Sequence, residues 1–162
     1  MRADHLHNTF IDLIHEHERM IYKICFLYAD TEADRQDLYQ EIVSQVWQGY
    51  QNFRGDAKFS TWLYRVSLNT AIAGFRKEKR SVLIYTDGAL PDISDTDAGN
   101  EQSELLNRAI GRLNDIEKAL VMLYMDNKTY DEMESIMGIS SGALRVKMTR
   151  IKEKLKTITK TY

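Results

Sequence analysis

Pro91 is the only proline in this 162-residue chain, and on both sides of it apolar residues recur at three- and four-residue spacing. That spacing is the repeat of a helix with one buried face. Helices of this length lose more chain entropy than their own hydrogen bonds return, so they must bury those faces against one another. The segment around Pro91 is rich in Asp, Ser, Thr and Gly, a composition that suits an exposed tether. The expected fold is all-α: two small helical domains, residues 8–80 and 103–158, joined by an acidic flexible linker at 81–102, with a helix-turn-helix in the second.

In the first domain Phe10, Leu13, Ile14, His17, Ile21, Ile24 and Tyr28 form one apolar stripe. A second helix carries Leu38, Ile42, Val46 and Tyr50, widened by Val43 and Trp47. A third is expected after Ser60, whose side chain can cap its first turn, and runs through Trp62, Leu63, Val66 and Phe75. Gly55 and Asp56 separate the second from the third. The second domain begins with a helix using Leu105, Leu106, Ile110 and Leu113, followed by one using Ile116, Leu120, Val121, Leu123 and Tyr124 with Asp115 as its cap.

The next segment is more specific. Thr129 and Glu132 have the reciprocal spacing of a capping box, and Met133, Ile136 and Met137 give the helix that follows an apolar face. Gly138 ends it, since glycine takes a left-handed backbone at little steric cost. Ile139 plugs the turn, and Ser140 or Ser141 caps a longer helix through Leu144, Met148, Ile151 and Leu155. A short helix, a glycine turn and a longer helix make a DNA-binding helix-turn-helix.

Charge distribution decides between a reader of DNA and a plain helical hairpin. The formal net charge is only -2 and is uninformative. Locally, however, residues 140–162 hold seven basic residues and one acidic residue, whereas 81–107 hold six acidic residues and no Lys or Arg. On the long helix Ser141 to Lys147, with Arg150, can enter a major groove, where Arg presents a two-donor fork to guanine and Lys seeks phosphate. The later Lys152, Lys154 and Lys156 fall to phosphates or solvent.

Two further surfaces stand out in the first domain. Residues 53–65 interleave Phe53, Phe59, Trp62 and Tyr64 with Arg54, Lys58 and Arg65 around Gly55, and Asn69 follows one turn after Arg65. Such a surface can hold an unstacked base and its neighbouring phosphates. Trp62 and Phe59 are read as core anchors because they begin an amphipathic helix. Arg76, Lys77, Lys79 and Arg80 extend the basic charge. The second helix instead carries Asp34, Asp37, Gln40, Glu41 and Gln45, a polar and mostly acidic face suited to a basic protein partner.

Other chemistries find little support. His5, His7, His15 and His17 lack the spacing of a zinc protease helix, and the single cysteine, Cys25, lies on the apolar stripe as a packed thiol. No glycine-rich phosphate loop is present. No metal, no cofactor and no catalytic residue is expected, so the chain is not read as an enzyme. With no apolar run of about 18 residues and no secretory leader, no membrane insertion and a cytoplasmic location are expected.

In order, these surfaces resemble the extracytoplasmic-function class of sigma factors, the smallest members of the sigma-70 family. Asp37-Leu38-Tyr39-Gln40-Glu41 through Val46-Trp47 is similar to the family's core-polymerase-binding helix. Phe53-Arg54, Phe59, Thr61-Trp62-Leu63, Arg65, Asn69 and Arg76-Lys77 are similar to the segment that opens the minus-ten element. Thr129-Tyr130 with Glu132, Ile136 through Ser140, and Arg145 to Arg150 are similar to the domain that reads the minus-35 element. The sequence departs from common family residues at Ala73, Asn114, Ala143, Leu144 and Val146, positions that bear on which promoters are chosen.

The resemblance implies a non-enzymatic alternative sigma factor. Core RNA polymerase would be bound by Asp34, Asp37, Leu38, Gln40, Glu41 and Gln45. Minus-ten DNA would be held by Arg54, Lys58, Arg65, Asn69, Arg76, Lys77 and Arg80, and minus-35 DNA by Thr129, Ser140, Ser141, Gly142, Arg145, Lys147 and Arg150. Its expected partners are core RNA polymerase, promoter DNA and an anti-sigma protein, with no obligate homo-oligomer. The sequence ends at Tyr162, and no added sensory domain is expected. Two other readings stay open at this stage: a helix-turn-helix regulator that acts without polymerase, and a helical protein-interaction module.

Overall fold

A computed structural model describes the backbone of residues 1–81 and 101–160, with side chains described throughout except at 75–81. The linker around Pro91 and the side chains of Arg76, Lys77, Lys79 and Arg80 therefore lie outside the described residues. The chain divides into two compact units, Met1–Leu83 and Ile84–Tyr162, and every described element is a helix or a short turn.

The first unit holds α1 (Arg2–Glu16), α2 (Glu18–Tyr28), α3 (Glu32–Tyr50) and α4 (Phe59–Ser81). The single stripe from Phe10 to Tyr28 belongs to two helices, broken at His17, whose backbone leaves helical geometry at φ -107° and ψ 12°. The His17 ring donates from Nδ1 to the Leu13 carbonyl at 2.9 Å, an acceptor that also takes the His17 backbone amide at 3.2 Å. Neither glycine nor proline marks this break, and the apolar stripe continues across it, so periodicity alone could not show it.

α2, α3 and α4 pack mutually to form the core. Ile21, Ile24, Ile42, Val46, Leu63 and Leu68 are fully buried, each contributing roughly 1.5–3 kcal/mol of transfer free energy. Cys25 lies among them, and burial pushes its thiol up to about 11. Thr31 caps α3 by accepting from the Asp34 amide at 3.1 Å. α4 starts two residues earlier than the Ser60 cap predicts, at Phe59, which places Ser60 inside the first turn.

The second unit holds α5 (Glu101–Gly111), α6 (Asp115–Met125), α7 (Tyr130–Met137) and α8 (Ser141–Lys160). α8 packs against α5, α6 and α7 and buries Leu144, Met148 and Ile151. The cap of α6 is Asn114 rather than Asp115: its side chain accepts from the Glu117 amide at 2.9 Å, and Glu117 accepts from the Asn114 amide at 3.1 Å. An asparagine makes this box because its carbonyl reaches the third amide of the helix. Tyr124, expected on the apolar stripe of α6, is 46% exposed; the buried positions of that helix are Ala119, Leu120, Val121, Met122 and Leu123.

Candidate nucleic-acid interface

The helix-turn-helix is built as the local signals require. Thr129 Oγ1 accepts from the Glu132 amide at 3.1 Å and the Glu132 carboxylate accepts from the Thr129 amide at 2.9 Å. Gly138 closes α7 in the left-handed region at φ 70°, a conformation that a side chain would strain. Ser140 then caps α8 by accepting from the Ala143 amide at 3.3 Å. A second acceptor serves the same helix end, since Glu134 of α7 takes the Ser141 amide at 3.2 Å. Glu132 thus closes a backbone donor at the start of α7, and Glu134 ties α7 to the start of α8.

On α8 the outward residues Gly142, Arg145, Lys147 and Arg150 are exposed, as are Thr129 and Ser140, whereas Ser141 is half-buried. Arg145 does not extend freely: its guanidinium lies over the Tyr130 ring, 5.1 Å from the centroid. Both residues line an open hollow with Tyr124, Lys128, Thr129 and Asp131. The later lysines are not all offered to phosphate. Lys154 pairs with Glu117 at 2.9 Å and Lys152 sits over the Tyr124 ring at 4.5 Å. These contacts join residues far apart in sequence, so no local spacing discloses them.

In the first unit the acidic face is a stripe along α3. Asp34, Asp37, Gln40, Glu41 and Gln45 are exposed, and Leu38 is half-buried at the edge of the core. Gln45 donates to Glu41 at 3.0 Å. The cation on this helix points elsewhere, because Arg35 donates to the carbonyls of Ala29 and Asp30, each at 3.2 Å, and covers the Phe26 ring at 4.4 Å. The face therefore keeps its acidic character.

The turn between α3 and α4 reverses through Gly55 at φ 78°. Arg54 and Lys58 are exposed on it, and Arg65 and Asn69 are exposed one helical turn apart on α4. Beneath them Phe53, Phe59 and Trp62 are half-buried in an aromatic cluster, with the Trp62 ring 4.9 Å from Phe53 and 5.8 Å from Phe59. Tyr50 and His17 join it edge-on to Phe59 at 6.1 and 5.3 Å. Among the described residues no group of three or more His, Cys, Asp or Glu could hold a metal ion. No helix of the described residues is long and apolar enough to cross a membrane.

Comparison with known proteins matches both units. The family model for Sigma-70 region 2 covers residues 13–81 and that for Sigma-70, region 4 covers residues 103–155. The chain is 26% identical to the ECF RNA polymerase sigma factor SigW of Bacillus subtilis over 92% of this chain and 88% of that protein. It is 29% identical to the ECF RNA polymerase sigma-E factor of Escherichia coli over 75% and 71%. Among solved structures it resembles CnrH, determined with the cytosolic domain of CnrY (TM-score 0.70, 18% identity, 96% of this chain and 90% of that one). It also resembles the sigma factor RpoE of Bartonella quintana, determined with the anti-sigma factor NepR (TM-score 0.76, 16% identity, 94% and 97%). At such identities these two likenesses concern the fold. With both regions matched in order, the chain belongs to the sigma-70 family of RNA polymerase sigma factors, in its extracytoplasmic-function class, and directs promoter recognition through region 2 and region 4.

Proposed function

We propose that the tasks of promoter recognition divide among three exposed faces. Asp34, Asp37, Gln40, Glu41 and Gln45 of α3, with Leu38 at their margin, dock on core RNA polymerase through a basic surface of the enzyme. Arg54 and Lys58 of the turn, with Arg65 and Asn69 of α4, hold the opened non-template strand at the minus-ten element. Arg76, Lys77 and Arg80 continue this basic run in the sequence. Thr129, Ser140, Ser141, Gly142, Arg145, Lys147 and Arg150 read the minus-35 element, α8 lying in the major groove. The proposed domain bounds are 8–80 and 103–158, with 81–102 as the acidic tether.

The observation that carries this reading is α8 itself. From Ser140 to Lys152 it holds no acidic residue, and its cations Arg145, Lys147 and Arg150 are exposed on a helix whose start is fixed by α7. A regulator acting without polymerase would account for α7 and α8 but leaves the acidic stripe of α3 without a use, and a plain interaction module would use the stripe but not the exposed cations of α8. By likeness to the sigma factor RpoE solved with the anti-sigma factor NepR, an anti-sigma protein is proposed as the regulatory partner, acting where the polymerase acts, in the cytoplasm.

Charge reversal separates the faces. Asp37→Lys with Glu41→Lys should abolish association with core polymerase. Asn69→Ala should retain association and impair DNA opening, read as permanganate reactivity of unpaired thymines. Equal loss of both activities in Asn69→Ala would contradict its assignment to the opened strand.

A further inference from the structure

Val146 is an exposed large apolar side chain on α8, with 52% of its surface open. It stands two residues after Leu144 and two before Met148, both buried, so it lies about 200° round the helix from each. It thus occupies the centre of the outward face. Its neighbours there are Gly142 one turn earlier and Thr149 and Arg150 one turn later, all exposed. Nothing in the fold calls for a valine here, because 52% of its surface stays in water and a β-branched side chain is not favoured in a helix.

Gly142 adds a second, independent observation. A Cβ built there meets nothing within 4 Å, and its φ is not positive, so neither packing nor backbone geometry within the chain demands a glycine. Its effect is to leave the helix surface low one turn ahead of Val146, where a groove floor can approach the backbone. The surround is cationic, with Arg145, Lys147 and Arg150 exposed and no acid between Ser140 and Lys152. An apolar group set in such a ring matches DNA, whose phosphates meet the cations while one base alone, thymine, presents a methyl group in the major groove.

We propose that Val146 is a specificity-determining residue that reads the 5-methyl group of a thymine in the upstream promoter element, with Gly142 giving the helix the clearance to reach it. This rests on the reading of α7 and α8 as the minus-35 recognition unit. Arg145 and Arg150 supply hydrogen bonds and charge on either side, and Val146 supplies a contact that neither can make.

The experiment uses the chain assembled with core polymerase and a promoter selected from a randomised duplex library. Each thymine of the upstream element is replaced singly by deoxyuridine, which removes the methyl group and nothing else. At one thymine the replacement should weaken wild-type holoenzyme binding about fourfold, the effect of burying one methyl-sized group. Val146→Ser should bind the thymine and deoxyuridine duplexes equally, and Val146→Thr, which keeps a methyl, should discriminate again. Because residue 146 is exposed, both variants should keep the wild-type melting temperature.

If no deoxyuridine replacement weakens wild-type binding while base-pair changes in the upstream element still do, the role of Val146 is wrong and the recognition helix stands. Loss of binding by Val146→Ser that is the same on both duplexes also overturns it, pointing to a protein contact instead. If base-pair changes upstream have no effect at all, the minus-35 reading fails together with the proposal.

Discussion

The Trp62 ring leaves Gly49 no room for a side chain: a Cβ at residue 49 would stand 2.8 Å from Cζ2 of the tryptophan. α3 and the start of α4 approach this closely at the turn that carries Arg54 and Lys58. Phe53 and Phe59, 4.9 and 5.8 Å from the Trp62 ring, restrict its swing. Gly49→Ala would gain about 1 kcal/mol of helix propensity but incur about 1–3 kcal/mol of overpacking. A net loss near 1 kcal/mol is expected. In a Trp47→Phe background the Trp62 emission should shift to the red as the ring is displaced. Unchanged emission with raised stability would show that the cluster is looser than the geometry indicates.

Ser67 is the reverse case. It is fully buried in α4, and its Oγ meets no hydrogen-bond partner. An unsatisfied buried hydroxyl costs about 1–3 kcal/mol, and alanine is the better helix former. Ser67→Ala should therefore raise the melting temperature of the first unit by about 4 °C. A fall in melting temperature would mean that the hydroxyl is satisfied in solution.

Cys25 should be chemically silent in the folded protein. Its side chain is 1% exposed and its thiol is held at about 11 against an ordinary 9.0, so neither access nor thiolate is available to a disulfide reagent. The folded pKa exceeds the unfolded one, so folding binds the proton more tightly. Stability from this group is complete below about pH 9 and is lost as the pH rises toward 11. Cys25→Ala should flatten that part of the alkaline unfolding curve, at the cost of a small cavity. Rapid labelling of the native protein at neutral pH would contradict this burial.

Much of the helix-turn-helix was legible because its signals are local. Thr129, Glu132, Gly138 and Ser140 each act within four residues of their partners, so their spacing in the sequence is also their geometry. The break at His17 is not legible, because neither glycine nor proline marks it and the apolar stripe runs on across it. Asn114 and Asp115 are adjacent and both residue types cap helices; only the paired bonds with Glu117 separate them. The settings of Arg145 on Tyr130, Lys154 on Glu117 and Arg35 on Phe26 depend on how helices pack. In sequence these three cations look the same as Lys147 or Arg150.

The capping box also gives a quantitative expectation for DNA reading. Thr129→Ala should cost the second unit about 1 kcal/mol and loosen α7, whose Glu134 carboxylate closes the start of α8. Upstream-element binding should weaken, with core-polymerase association unchanged, as compared by titration of holoenzyme on fluorescent duplex. Loss of core association in this variant would break the division of labour between the two units.

The central claim is that this chain confers promoter choice on RNA polymerase, and selection of start sites tests it most directly. Core polymerase is incubated with a randomised promoter library with and without the chain, and the transcripts are sequenced. Addition of the chain should enrich promoters sharing two spaced elements, with the upstream preference altered by changes at Arg145 and the opening step impaired by Asn69→Ala. Stable association with core polymerase without any enriched sequence would contradict the account.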